Sequence, residues 1–369
     1  MKLSELAPAY IRAIAPYQTG KPISDVAREL GLSEADIVKL ASNENPLGAS
    51  PKAIAAIKSA INDLALYPDG GGFALKAAIT AKFGVPAESI ILGNGSNEIL
   101  ELAARTFMRE GDSAVFSQYA FAVYLLATQA VGATPVAVAA SHFGNDLAAI
   151  LAAITATTKI VFVANPNNPT GTFIAAGELK AFVARVPEHV LVVLDEAYGE
   201  YLDPADAYDS AAWLAEFPNL MISHTLSKAY GLAGLRIGFG FAAPDVVAMM
   251  NRVRQPFNVN HLAMVAAEAA LSDDAFIEQS RRLNAEGLAT ITGALIARGL
   301  EYIPSHGNFV AFKVGRTEQI YRHLLEAGVI VRPIAGYGLP DYLRVSTGTA
   351  AQNRRFISAL DAAIAELKV

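Results

Sequence analysis

Seven short apolar runs, spaced along the middle of the chain, constrain its fold more than any other feature. They are Ile90-Ile91-Leu92, Ala114-Val115-Phe116, Pro135-Val136-Ala137-Val138, Ile160-Val161-Phe162-Val163, Val190-Leu191-Val192-Val193-Leu194, Leu220-Met221-Ile222 and residues 238–242. They are apolar throughout instead of alternating with polar residues. A strand reads this way when helices cover both sides of its sheet. The pattern predicts an α/β fold built on a mostly parallel sheet. Functional groups in such a fold gather at the carboxyl ends of the strands and in the loops that follow.

The pattern changes after about residue 262. A long helix is expected near residues 273–298, ending at Gly299. Strands are expected near 308–314, 329–332 and 342–346, with helices near 317–327 and after Thr349. Ser33-Glu34-Ala35-Asp36 and Thr349-Ala350-Ala351-Gln352 both have the pattern of a capping box. The expected organisation is an arm over residues 1–45 packing with the small domain, a large domain over 46–262 and a smaller α+β domain over 263–369.

Composition removes several function classes. The 369 residues are 53% hydrophobic and 17% charged, enough for a large core and too apolar for disorder. A net charge of -6 without a Lys/Arg run argues against a nucleic-acid partner. There is no cysteine, so neither disulfides nor thiolate chemistry is available. Residues 1–8 lack the basic start and apolar centre of a secretion signal, which points to the cytoplasm and gives no weight to the sequon Asn94-Gly95-Ser96. The uncharged stretch 113–145 is broken by Gln118, Gln129, Gly132 and Pro135, which suits a helix and a strand better than a membrane span. The six histidines have no metal-ligand spacing, and no metal site is expected.

The segment after residue 222 reads Ser223-His224-Thr225-Leu226-Ser227-Lys228-Ala229-Tyr230-Gly231-Leu232-Ala233-Gly234-Leu235-Arg236. A lysine taken alone is most often a solvated surface group. Lys228 instead follows an apolar strand, stands among hydroxyls, and has small residues beside it. A desolvated lysine loses its proton and can form a Schiff base with an aldehyde. Asp195 closes the run 190–194. It could cap the next helix or pair with a protonated pyridine nitrogen, and its pairing with a lysine at another strand end favours the second.

Three further segments fit the same chemistry. Asn165-Pro166-Asn167-Asn168-Pro169-Thr170-Gly171 is a turn composition, and it also offers the Asn168 amide, with the Tyr198 hydroxyl, to a ring oxygen. Gly93-Asn94-Gly95-Ser96-Asn97 joins a strand to a helix, a natural phosphate site. It lacks the third glycine of a dinucleotide fingerprint and the Gly-Lys of a Walker loop. Arg236 precedes the apolar run 238–242, so it should face the site and clamp a phosphate. Arg344, on a late strand, could hold a substrate anion, with Arg332 a second candidate. An amine, a phosphate site and a buried carboxylate are together what pyridoxal 5′-phosphate (PLP) requires of a protein.

These segments together resemble the fold-type I PLP-dependent aminotransferases, class I/II, and within them the histidinol-phosphate aminotransferases. The resemblance is carried by Asn-Asn-Pro-Thr-Gly, Asp-Glu-Ala-Tyr and Ser-Lys-Ala-Tyr-Gly-Leu-Ala-Gly-Leu-Arg in that order. It extends from Pro16-Tyr17-Gln18 and Leu40-Ala41-Ser42-Asn43-Glu44-Asn45-Pro46 to Leu343-Arg344-Val345-Ser346-Thr347-Gly348. It implies transamination from an amino donor to 2-oxoglutarate, with Lys228 as the Schiff-base lysine and Asp195 as partner of the ring nitrogen. It implies that Asn168 and Tyr198 bind the 3-oxygen, that Phe121 stacks on the ring, and that Ser96, Asn97, Thr225, Ser227 and Arg236 surround the phosphate. Tyr67 is similar to a tyrosine that reaches the neighbouring subunit's phosphate in a homodimer, and Tyr17 would line the substrate pocket with Arg344. Asn97 stands where many relatives carry Asp. Much the same cofactor site serves aromatic-amino-acid aminotransferases and an amino-acid-phosphate decarboxylase, so the resemblance leaves the donor open.

Overall fold

The computed structural model describes residues 2–17 and 20–367; Gln18 lies outside them. Thirteen strands occur among these residues. They are β1 (Val38–Lys39), β2 (Ile90–Gly93), β3 (Ser113–Ser117), β4 (Thr134–Val138), β5 (Thr158–Ala164), β6 (Leu191–Asp195), β7 (Leu220–Thr225), β8 (Gly238–Ala242), β9 (Tyr302–Ile303), β10 (Phe309–Lys313), β11 (Val329–Ile330), β12 (Arg332–Pro333) and β13 (Tyr342–Ser346). The seven expected runs form one sheet in the order β2-β8-β7-β6-β5-β3-β4. Only β8 runs against its neighbours; all other pairs in this sheet are parallel.

The apolar runs are continuous because the sheet has a core on each face. Val161, Val163, Val192, Leu194, Leu220 and Ile222 enter one cluster. Their neighbours Ile160, Phe162, Leu191, Val193 and Met221 enter the other. Successive side chains of a strand point to opposite faces, so burial on both sides leaves no polar position. The charge-free stretch resolves into β3, the helix Ala122–Ala130 and β4. No helix among the described residues is long and apolar enough to cross a membrane.

The sheet register places the chemistry. Ala164 pairs with Asp195, and Asp195 with Ser223, so the carboxyl ends of β5, β6 and β7 lie side by side. The β7–β8 connection returns antiparallel, with Thr225 opposite Gly238. Leu226 N–H donates to Ile237 O at 3.1 Å, which closes the intervening loop and brings Lys228 and Arg236 to the same sheet end.

A second, antiparallel sheet has the order β12-β13-β10-β9. It packs with the helices Asp274–Ala297, Thr317–Glu326 and Ala350–Leu367 around a separate core. β1 pairs in parallel with β11. Thr349 and Gln352 form the expected capping box, with Thr349 N–H donating to Gln352 Oε1 at 2.8 Å and Gln352 N–H to Thr349 Oγ1 at 3.3 Å. Ser33 does not: a short 3-10 turn (Glu34–Asp36) follows it, and its side chain accepts no capping bond. The helix His261–Leu271 contributes Ala263, Ala266, Ala267 and Ala270 to the core of the large sheet. The expected boundary between residues 262 and 263 falls inside this helix, whose alanine-rich face reads equally well as part of either unit.

Candidate active site

A cavity of about 340 Å³ opens at the carboxyl ends of β5, β6 and β7. Ten of the residues singled out in the sequence line it. Lys228, Asp195, Tyr198 and Asn168 form one side, and Ser96, Asn97, Thr225, Ser227 and Arg236 the other, with Phe121 beside them.

Lys228 is partly buried, and its Nζ donates to the Ser42 carbonyl at 3.0 Å. It lies 5.9 Å from the centre of the Tyr198 ring. Burial, reinforced by the positive charge of Arg344, lowers its pKa to about 8. Only the neutral amine attacks a carbonyl carbon. Capture of an aldehyde by the cofactor-free protein should therefore accelerate about tenfold per pH unit below about pH 8 and level off above it. Stopped-flow absorbance measures this directly; a rate independent of pH between about 6 and 9 would contradict the assignment of Lys228 as the attacking group.

Asp195 is 4% exposed. One carboxylate oxygen, Oδ2, accepts from the Tyr124 hydroxyl at 2.8 Å, and the other, Oδ1, is buried without a donor. Burial raises its pKa to about 6 against the Tyr124 hydrogen bond, the nearby Ala197 N–H, which does not reach hydrogen-bonding geometry, and the Lys228 charge, all of which pull it down. A buried acceptor without a donor is costly, and a protonated pyridine nitrogen supplies the donor. This carboxylate therefore fits PLP.

The far end of the cavity fits a phosphate. The helix Ser96–Phe107 begins there with Gly95 as its N-cap, φ 79°, so no capping side chain occupies its first N–H groups. Arg236 Nη1 donates to Ala233 O at 3.1 Å and reaches Ser227 Oγ at 3.4 Å. Its backbone is left-handed, φ 58°, which turns the side chain back over the helix start. A Cβ at Gly95 would lie 2.6 Å from Arg236 Nη2, so glycine is required for this approach.

Arg344 does not line this cavity; it reaches it through Asn168. Its Nη1 donates to Asn168 Oδ1 at 2.6 Å and its Nη2 to Ala41 O at 2.9 Å, while Nε has no partner. The guanidinium lies 5.1 Å from the Phe309 ring centre. Tyr17 and Arg332 line an adjoining cavity of about 500 Å³ with Pro333 and Tyr337. Arg332 Nη2 donates to Tyr17 Oη at 3.4 Å. Tyr67 is elsewhere on this chain, 83% exposed and stacked on Phe257 at 4.9 Å.

Sequence reasoning gave no role to Ser42, Asn43 or Glu44, nor a separate one to Tyr124. Ser42 and Glu44 line the cavity, Asn43 holds the Tyr198 hydroxyl, and Tyr124 holds Asp195. The available signals were faint: a polar Ser-Asn-Glu-Asn stretch, and a tyrosine one helical turn beyond Phe121.

Comparison with known proteins agrees with this geometry. The family model "Aminotransferase class I and II" matches residues 35–360. The chain is 60% identical to histidinol-phosphate aminotransferase 1 of Thiobacillus denitrificans, covering 97% of this chain and 94% of that one. It is 57% identical to histidinol-phosphate aminotransferase of Methylobacillus flagellatus, covering 98% of each. Its structure matches that of histidinol-phosphate aminotransferase from Sinorhizobium meliloti in complex with pyridoxal-5′-phosphate, with a TM-score of 0.91, 29% identity and 99% of both chains covered.

Proposed function

The chain belongs to the class I and II aminotransferase family, and from that premise we propose that it transfers the amino group of L-histidinol phosphate to 2-oxoglutarate, giving imidazole-acetol phosphate and L-glutamate. The observation that carries the chemistry is the donor-less Oδ1 of buried Asp195 in the same cavity as the Lys228 amine. The donor identity is supported by relatives 54–60% identical over nearly the whole chain that bear that enzyme's name.

When bound, PLP supplies an aldehyde for an amine and a cationic ring that takes up electrons as a C–H bond breaks. The protein's own groups do the rest. Lys228 Nζ is the covalent attachment point and, once free, the base that takes the substrate's Cα proton. Asp195, held in place by Tyr124, keeps the ring nitrogen protonated. Asn168 and Tyr198 donate to the 3-oxygen, and Phe121 lies against the ring. Ser96, Asn97, Thr225, Ser227 and Arg236 hold the phosphate. Arg344 takes the substrate anion, and its planar fork of donors suits a phosphate monoester and a carboxylate alike. The adjoining cavity at Tyr17 and Arg332 leaves room for the rest of the donor.

The working unit is a homodimer. Tyr67, Phe73, Leu66 and Leu64 are 83%, 82%, 71% and 60% exposed, an apolar stretch that a second copy would cover. Tyr67 would then reach the phosphate of the neighbouring site. Mixing Tyr67→Ala chains with Lys228→Ala chains should restore activity that neither has alone, because a mixed dimer contains one intact site. The enzyme acts in the cytoplasm as part of histidine biosynthesis. A panel of amino donors tests the substrate: kcat/KM for histidinol phosphate should exceed that for phenylalanine and tyrosine by at least about tenfold. The reverse ranking would make this an aromatic-amino-acid aminotransferase, and CO2 release without an oxo-acid acceptor would make it a decarboxylase.

A further inference from the structure

Asn43 is 1% exposed and has a left-handed backbone, φ 56°. Besides glycine, Asn and Asp are the residues that adopt this conformation most readily. All its polar groups are engaged. Its N–H donates to Ser346 Oγ at 2.9 Å, and its carbonyl accepts from Asn308 Nδ2 at 3.0 Å. Its Oδ1 accepts from Ser346 Oγ at 2.9 Å, and its Nδ2 donates to Tyr198 Oη at 2.9 Å.

Counting protons fixes the direction of these bonds. A backbone N–H can only donate, so Ser346 Oγ accepts from Asn43 N. The one proton of the Ser346 hydroxyl then goes to Asn43 Oδ1, which turns Nδ2 toward Tyr198. With the amide reversed, Ser346 Oγ would accept from both Asn43 N and Asn43 Nδ2, and its own proton would be left without an acceptor in a site where Ser346 is 3% exposed. Tyr198 thus receives a hydrogen bond, and its own proton has to point elsewhere. Tyr198 lines the cavity together with Asn168 and Lys228. Asn168 is oriented by the same logic, because Arg344 has only donors and holds its Oδ1. Arg344 and Ser346 are alternate residues of β13 and face the same way.

We propose that Asn43, locked by Ser346, is a positioning residue that makes Tyr198 a proton donor to the 3-oxygen of the bound cofactor. This rests on the reading of the cavity as a PLP site. A donor at that oxygen stabilises its anionic form and so lowers the proton affinity of the Lys228–cofactor linkage. Losing the donor raises it.

Asn43→Asp tests the direction of the bond. Aspartate tolerates the left-handed backbone, but its carboxylate only accepts, so Tyr198 must donate to it and not to the cofactor. The pH midpoint of the bound cofactor's visible band should rise by about one unit, roughly a tenfold gain in proton affinity. Asn43→Gly removes the side chain without straining the backbone, leaves the Tyr198 proton free, and should shift the midpoint by less than about half as much. Ser346→Ala, which lets the Asn43 amide turn over, should move it in the same direction as Asn43→Asp and serves if that variant folds poorly. Tyr198→Phe should raise the midpoint by itself, and adding Asn43→Asp to it should add nothing. An equal rise from Asn43→Asp in both backgrounds would mean a through-space charge effect and would overturn the proposal, as would an unmoved midpoint in Asn43→Asp. A wild-type protein that shows no visible band on adding PLP would instead remove the PLP reading, and the proposal with it.

Discussion

Lys228→Ala should lower transamination by roughly four orders of magnitude or more, while the variant still binds PLP without a covalent link. The lysine is asked to do two things that no neighbour can do. Among the described residues its Nζ is the one amine lining the cavity, and burial lowers its pKa to about 8, so a useful fraction is neutral near physiological pH. Removing it deletes both the attachment point and the base, but leaves Asp195, Arg236 and the start of the helix Ser96–Phe107 to hold the cofactor's ring and phosphate. Turnover assays and equilibrium dialysis with PLP measure the two effects separately. A variant that retains full activity would sink the assignment. One that no longer binds PLP at all would place most of the affinity in the covalent bond and not in the cradle.

Asp195→Ala should weaken cofactor binding by about a hundredfold to several thousandfold, the cost of breaking one buried ion pair, about 3–5 kcal/mol. It should also slow proton abstraction by orders of magnitude, because the ring nitrogen then loses its proton. Asp195→Asn keeps the shape and should lose most of the same affinity. Linkage gives a second signature. In the cofactor-free protein the Asp195 pKa is raised to about 6, above its unfolded value of about 3.9. The stability it contributes is therefore full below about pH 4 and is lost as pH rises through about 6. A cationic ring nitrogen beside it removes that penalty. The rise in Tm on adding PLP should grow between about pH 4 and about pH 6, and this growth should be absent in Asp195→Asn. Glu196, raised to about 8 by its own burial, titrates above this window. An unchanged pH dependence in Asp195→Asn would mean that something else holds the ring nitrogen.

Local signals carried most of the fold. Runs such as Val190 to Leu194 are apolar at every position because Val192 and Leu194 face one core and Leu191 and Val193 the other. The cofactor end of the site was legible for a similar reason. Asp195 and Lys228 follow such runs directly, and the glycines around Ser96 mark a strand-to-helix turn. The reversed direction of β8 was not legible, because a short buried strand reads the same either way. The same limit applied to the helix His261–Leu271, whose alanines suit any close-packed interface.

The support around the site was harder to read because it is assembled from distant segments. Asn43 meets Ser346 from the far end of the chain. Tyr124 meets Asp195 across the sheet. Arg344 on β13 meets Asn168 at the cavity wall. None of these pairs leaves a spacing that a single sequence displays. Ser33 shows the converse: its capping pattern is present, but a short 3-10 turn follows it, so its side chain caps nothing.

Borohydride reduction of the PLP-loaded protein, followed by peptide mass mapping, tests the central claim most directly. A single pyridoxyl adduct on Lys228, absent when histidinol phosphate is added first in the absence of an oxo acid, is the expected result. An adduct on another lysine, or none at all, would contradict the account.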